Sequence, residues 1–163
     1  MPEIGGYSLF TLLAICLAGV GCLFHVIGLS VVYWIVLDPF VSGVGTGLWQ
    51  SCAYGSCQSY PSRPDYLKAT QAFVIIGLLA GVGGLVLSVI SLLKKQKIIC
   101  MMAGVACFAA AGCILIAIIV FGAENTLITE RTQYGWGFIL CILSIFPFVP
   151  AGALNLLETK HTS

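Results

Sequence analysis

The stretch that decides the fold is WIVLDPFVSGVGTGLWQSCAYGSC, residues 34–57, because it interrupts an otherwise apolar chain. It contains Trp34, the tripeptide Gly47-Leu48-Trp49 and the pair Cys52 and Cys57. A cysteine pair alone is uninformative, but this one follows two tryptophans and a long apolar run. Since disulfides form on the oxidising side of a membrane, the arrangement indicates a disulfide-bearing outer loop on a membrane protein.

The composition agrees with a membrane protein. The 163-residue chain is 60% hydrophobic and 8% charged, whereas soluble domains carry about 25% charged residues. The net charge of +1 gives no support for binding nucleic acid. Because four membrane spans of about 20–25 residues nearly use up the length, we expect one four-span domain over residues 1–163.

Four apolar segments are each long enough to cross a hydrocarbon core of about 30 Å. We place these spans at about residues 7–34, 69–93, 98–122 and 134–157. The first segment lacks a basic residue before it and is too long for a signal-peptide core, so we interpret it as a span.

The short basic turn Lys94-Lys95-Gln96-Lys97 predicts the orientation. Clustered lysines mark the cytosolic side of a membrane protein. Four spans then place both termini in the cytosol, and the loops 38–68 and 123–133 outside the cell. Aromatic residues near the outer ends of the spans fit an interfacial belt; they are Trp34, Trp49, Tyr134 and Trp136.

The two cysteines lie in a predicted β-hairpin. Residues 48–52 and 56–60 read as two strands, and Gly55 suits a turn that needs a positive φ. Opposed residues of a hairpin lie about 4.5–5.5 Å apart, which is within disulfide reach. We therefore predict a structural Cys52–Cys57 bond. A redox role is disfavoured, because the spacing is Cys-x4-Cys and the predicted outer loops hold no second pair.

Few polar or reactive groups lie inside the spans. The other cysteines read as small hydrophobic residues; they are Cys16, Cys22, Cys100, Cys107, Cys113 and Cys141. Cys100 lies beside the basic turn, where S-palmitoylation is a hypothesis. His25 has no second histidine, carboxylate or arginine at a comparable depth, so we expect a bond to a neighbouring helix rather than a metal site or proton relay. We predict no catalytic, cofactor-binding or metal-binding residue.

The segment Gly77-Leu78-Leu79-Ala80-Gly81 is a Gly-x-x-x-Gly element. Small residues at this spacing let membrane helices approach closely. Packing within the bundle is the favoured interpretation, and a homodimer face is the alternative.

Taken together, Trp34, Gly47-Leu48-Trp49, Cys52 and Cys57 resemble the W–GLW–C–C motif of the claudin, peripheral myelin protein and epithelial membrane protein superfamily. The four-span order and the long first outer loop agree, as do the sequences LKATQA at 67–72 and QYGWGF at 133–138. The resemblance covers essentially the whole chain.

The resemblance implies an all-α membrane fold, a left-handed bundle of four transmembrane helices with a small extracellular antiparallel β-sheet. Residues 126–129 are the expected last strand. It also implies a plasma-membrane protein that acts without catalysis, by adhesion or as a paracellular barrier at cell–cell contacts. Partners would be membrane lipid and further copies or family members. Contacts with other copies or family members are expected through the extracellular sheet, at Phe40, Tyr54 and Tyr60. The alternative is an auxiliary subunit of an ion channel or receptor.

Three features depart from the claudins within that superfamily. The first outer loop is shorter. The ending Lys160-His161-Thr162-Ser163 lacks the hydrophobic last residue of a PDZ-domain ligand. Between Trp34 and Trp49 the only charged residue is Asp38, which gives weak support for a charge-selective pore.

Overall fold

The computed structural model describes residues 3–4, 7–37, 44–62, 64–94, 96–125 and 132–161. Its four long helices are apolar enough to cross a bilayer; they are α1 (Leu9–Ser30), α2 (Asp65–Lys94), α3 (Lys97–Glu124) and α4 (Trp136–His161). Two strands of two residues, β1 (Glu3–Ile4) and β2 (Tyr7–Ser8), pair just before α1. The predicted four-helix membrane bundle with a small antiparallel sheet is confirmed.

A five-stranded antiparallel sheet in the described residues lies at the end of the bundle where α1 ends and α2 begins. Its order is β6-β5-β4-β3-β7. The strands are β3 (Ile35–Leu37), β4 (Val44–Thr46), β5 (Gln50–Ala53), β6 (Ser56–Ser59) and β7 (Thr132–Tyr134). The segment 126–129, expected to form the last strand, lies outside the described residues; within the described part of the second loop, Thr132–Tyr134 form β7.

Three helix ends differ from the predicted spans by four residues, one of them the end of α4, which continues to His161 past the predicted end near residue 157. Helix α1 ends at Ser30 rather than near residue 34, because the β-branched and aromatic residues that follow lead into β3. Helix α2 begins at Asp65, four residues before the predicted position. The Pro64 carbonyl accepts hydrogen bonds from the Leu67 and Lys68 amides, which starts the first turn.

Glycines hold the helices close together inside the bundle. A Cβ added to Gly77 would lie 2.9 Å from Cγ1 of Ile114 in α3, and one added to Gly81 would lie 2.7 Å from Cζ of Phe148 in α4. Both residues therefore serve packing within one molecule, the favoured interpretation of the Gly-x-x-x-Gly element. His25 is fully buried, and its Nε2 lies 2.9 Å from the Val74 carbonyl oxygen, which ties α1 to α2.

Candidate functional site

The sheet is attached to the bundle through the two tryptophans of the motif. Nε1 of Trp34 donates to the Gly28 carbonyl at 2.9 Å, and Nε1 of Trp49 donates to the Leu29 carbonyl at 2.8 Å. Both carbonyls belong to the last turn of α1, where the helix itself supplies no donor. The two indoles therefore complete the end of the first span with donors from the chain that forms the sheet.

The Trp34 ring is also the centre of the contact between sheet and helices. It is fully buried and packs edge-on against Phe121 of α3 and Phe138 of α4, with ring centroids 5.0 and 5.8 Å apart. One side chain from the sheet-forming segment thus contacts two helices and completes the end of a third. Such edge-to-face aromatic pairs add about 0.5–1.5 kcal/mol each beyond burial.

Gly47 and Leu48 supply the remaining attachments. A Cβ on Gly47 would lie 2.8 Å from the Cα of Val32, so the two backbones approach only because this position is glycine. The hydroxyl of Tyr60 donates to the Gly47 carbonyl at 2.7 Å. Leu48 is fully buried, and its carbonyl accepts a hydrogen bond from the side-chain amide of Gln71 in α2. The tripeptide is therefore an anchoring element that lies between sheet and bundle.

The disulfide hairpin forms at the predicted place. Cys52 and Cys57 are opposed in β5 and β6, with their Cα atoms 4.0 Å apart, and are joined by a disulfide. The turn has positive φ at both central residues, 50° at Tyr54 and 85° at Gly55, as a type I′ hairpin turn requires. A positive φ is uncommon for tyrosine, and this side chain is 81% exposed at the tip.

One edge of the sheet is open. All four residues of β6 are exposed, and this strand ends the strand order of the described sheet. The short Cα distance at Cys52–Cys57 identifies a pair that exchanges no backbone hydrogen bonds, because hydrogen-bonded pairs are about 5.5 Å apart. By alternation, the N–H and C=O groups of Cys57 and Ser59 point away from β5. The open edge therefore offers two donors and two acceptors.

The other residues singled out in the sequence are placed differently. Tyr60 is half-buried and bonded to Gly47, so its hydroxyl serves the anchoring element. Burial raises the pKa of Tyr60, and the neighbouring Tyr66 raises it further. Phe40 lies outside the described residues. Cys100 is 2% exposed with its Sγ against the Ser91 hydroxyl, so acylation there would require the thiol to leave this contact; palmitoylation stays a prediction.

Gln71 is the functional side chain that sequence reasoning missed. Its amide lies in the second turn of α2 and bonds a carbonyl 23 positions earlier in the chain. The signal in the sequence is a polar residue in an apolar helix, within LKATQA at 67–72. Among the described residues, no group of three or more His, Cys, Asp or Glu side chains is arranged to hold a metal ion.

Comparison with known proteins agrees with this architecture. A family model described as the PMP-22/EMP/MP20/Claudin family matches residues 6–154. Epithelial membrane protein 1 of Oryctolagus cuniculus is 32% identical over 137 residues, which cover 78% of this chain and 82% of the relative. Epithelial membrane protein 1 of Rattus norvegicus is 36% identical over 66 residues, which cover 39% of this chain and 40% of the relative. The chain thus belongs to the PMP-22/EMP/MP20/Claudin family.

Proposed function

We propose that the protein is a non-enzymatic plasma-membrane protein that self-associates through its extracellular sheet to provide cell adhesion or a paracellular barrier. The observation that carries the proposal is the open edge at β6, where exposed backbone groups are available for pairing with another strand. Membership of the family supports the same class of function.

The open edge favours a second copy of the chain as the partner. Only Cys57 and Ser59 direct backbone groups outward along β6. If two copies of β6 pair antiparallel about a twofold axis at Gln58, Cys57 of each copy lies opposite Ser59 of the other. All four outward groups of each strand are then used, which gives four hydrogen bonds in a closed, symmetric dimer.

Tyr54 is the side chain best placed to extend that contact. It is highly exposed at the tip of a hairpin that the disulfide and the type I′ turn hold in shape. A tyrosine supplies a large contact at a small entropic cost. Residues 50–59 carry no charge, so the association we propose depends little on salt concentration.

The proposed location is the plasma membrane with both termini in the cytosol. Lys94, the last residue of α2, and Lys97, the first residue of α3, are exposed. They border the connection between α2 and α3, whereas the sheet is formed by the connections between α1 and α2 and between α3 and α4. A basic connection of this kind favours the cytosolic side. Epitope tags at the two termini, with and without permeabilisation of the cells, test this orientation.

Expression in cells that lack junction strands tests the function. We expect the protein to concentrate at contacts between two expressing cells and to raise paracellular resistance. Ser59→Pro removes one outward N–H and should weaken both effects, while Ser59→Ala keeps that N–H and should resemble the wild type. Surface labelling confirms that each variant reaches the membrane. A wild-type protein that neither concentrates at contacts nor changes resistance would contradict the proposal.

An auxiliary subunit of a channel or receptor is the second candidate. The same uncharged, open strand edge suits a strand from a different membrane protein. Purification from native membrane distinguishes the two candidates: a larger membrane protein that co-purifies in fixed proportion supports the auxiliary role, and recovery as copies of this chain alone supports self-association.

A further inference from the structure

The opposite edge of the sheet bounds a groove that the proposed function does not use. A cavity of about 280 Å³ lies where β7 meets the first turns of α4. Six residues line it: Val36, Gln133, Tyr134, Gly135, Trp136 and Ile139. None of the six is charged, and they come from the sheet and from the outer end of one span.

Aromatic rings shape this groove. Tyr134 stacks on Phe138 with ring centroids 4.4 Å apart and an interplanar angle of 17°, while Trp136 is 72% exposed. Gly135 is buried, and a Cβ there would clash with the Tyr33 carbonyl oxygen, so glycine allows these two backbones to approach. The groove therefore has aromatic walls beside a closely packed backbone.

The groove continues into the surface that faces lipid. Along α4, Ile139, Leu143 and Phe146 are exposed in succession below it. In a membrane span such apolar residues contact acyl chains, and exposed Trp and Tyr side chains mark the level of the headgroups. The groove is thus continuous with the lipid interface and opens at the outer end of the span.

We propose that this groove binds a sterol of the outer leaflet. A sterol is flat and rigid, which matches aromatic walls and loses little freedom on binding. Its single hydroxyl needs one polar partner, and the exposed amide of Gln133 lies among the lining residues. A phospholipid phosphate would find no opposite charge on those six side chains.

The inference is independent of the proposed adhesion, since the groove and β6 lie at opposite edges of the sheet.

Photolabelling tests the proposal on the full chain in lipid nanodiscs. A photoreactive cholesterol analogue should label a peptide that contains residues 133–139, and unlabelled cholesterol should compete. Trp136→Ala removes an exposed groove residue and should lower this labelling about threefold or more, the change expected from losing one aromatic packing contact. Ile139→Trp fills the groove and should have the same effect without removing a contact.

Phe146→Ala is the matched control, because this side chain is equally lipid-facing, at 67% exposure, but lies outside the groove. We expect it to leave labelling at residues 133–139 unchanged. Labelling spread evenly along α4, or competed equally by added phospholipid, would show bulk lipid only and overturn the proposal. A cross-link from this groove to a second copy of the chain would also overturn it.

Discussion

Single side chains of the motif act on the end of a helix as much as on the sheet. The indole nitrogens of Trp34 and Trp49 bond the carbonyls of Gly28 and Leu29, which would otherwise lack donors at the end of α1. Phenylalanine at either position would keep most of the apolar area but supply no N–H. This explains in physical terms why tryptophan, rather than any large aromatic residue, suits both positions.

Trp34→Phe and Trp49→Phe should therefore differ in their effect on stability. Trp34 and its acceptor are buried, so losing the donor should cost about 1–3 kcal/mol of unfolding free energy. Trp49 is only part-buried, so water can replace its donor and the cost should be smaller. Thermal unfolding of each purified variant in detergent micelles measures both. Equal losses of unfolding free energy at the two positions would contradict the assignment of a buried donor to Trp34 and a part-buried donor to Trp49.

The raised pKa of Tyr60 predicts that the protein loses stability at high pH. Its pKa is raised in the folded state from an ordinary value of 10.0, first by burial and then by Tyr66. The neutral phenol is thus favoured by folding, so this contribution is complete below pH 10 and is lost as the pH rises through the higher folded pKa. Tyr60→Phe should flatten the decline in stability above about pH 10. An unchanged decline in that variant would contradict the prediction.

At the scale of elements, close helix contacts depend on particular glycines. A Cβ on Gly28 of α1 would lie 2.8 Å from the Cys141 sulfur and 3.0 Å from backbone atoms of α4, whereas a Cβ on Gly19 would meet nothing within 4 Å. Two glycines of the same helix thus differ completely in the space around them.

Gly28→Ala and Gly19→Ala form a matched pair on α1. We expect Gly28→Ala to destabilise the bundle by about 1–3 kcal/mol, because backbone atoms cannot yield as a flexible side chain does. Gly19→Ala should be neutral or slightly stabilising, since alanine is the better helix former by about 1 kcal/mol. Unfolding midpoints in one detergent compare the two. A loss of stability in Gly19→Ala alone would reverse the interpretation of this helix face.

Local elements were predictable from the sequence, and distant pairings were not. The hairpin and its turn follow from residues 48–60 alone, and the disulfide from the opposition of its two cysteines. The pairing of β3 with β7 joins segments almost 100 positions apart, and the bond from Gln71 to Leu48 depends on where α2 meets the sheet. Short-range patterns carry no information on such contacts. The family resemblance pointed to a strand from the second outer loop, but not to the bond made by Gln71.

The end of α1 shows the same limit at a boundary. An apolar run continues past Ser30 into β3, and hydropathy cannot separate a membrane helix from a buried strand. The boundary is set by the change to β-branched and aromatic residues and by the two indole bonds described above. Hydropathy therefore placed the span but not its last turn.

For the whole molecule, the two edges of one small sheet have different surroundings. The β7 edge meets α4 and the lipid-facing groove, while the β6 edge is exposed with no charge in its hairpin. The anchoring residues hold the sheet against the bundle, so both edges keep a fixed position relative to the membrane. We infer that partner choice resides at the edges and the hairpin tip, and that the motif holds them in place.

Cysteine cross-linking between two copies tests the proposed self-association most directly. In the symmetric pairing of β6, Gln58 lies opposite Gln58 of the second copy as a pair without hydrogen bonds, with Cα atoms about 4.5 Å apart. Gln58→Cys should therefore form a disulfide-linked dimer at the cell surface under mild oxidation. Ser56→Cys, at a position that is also exposed on the same strand, should not, because in the symmetric pairing it lies opposite Tyr60 of the second copy and not opposite another cysteine. A dimer band for Gln58→Cys alone on a non-reducing gel is the predicted result; no dimer, or equal dimer from both variants, would contradict the account.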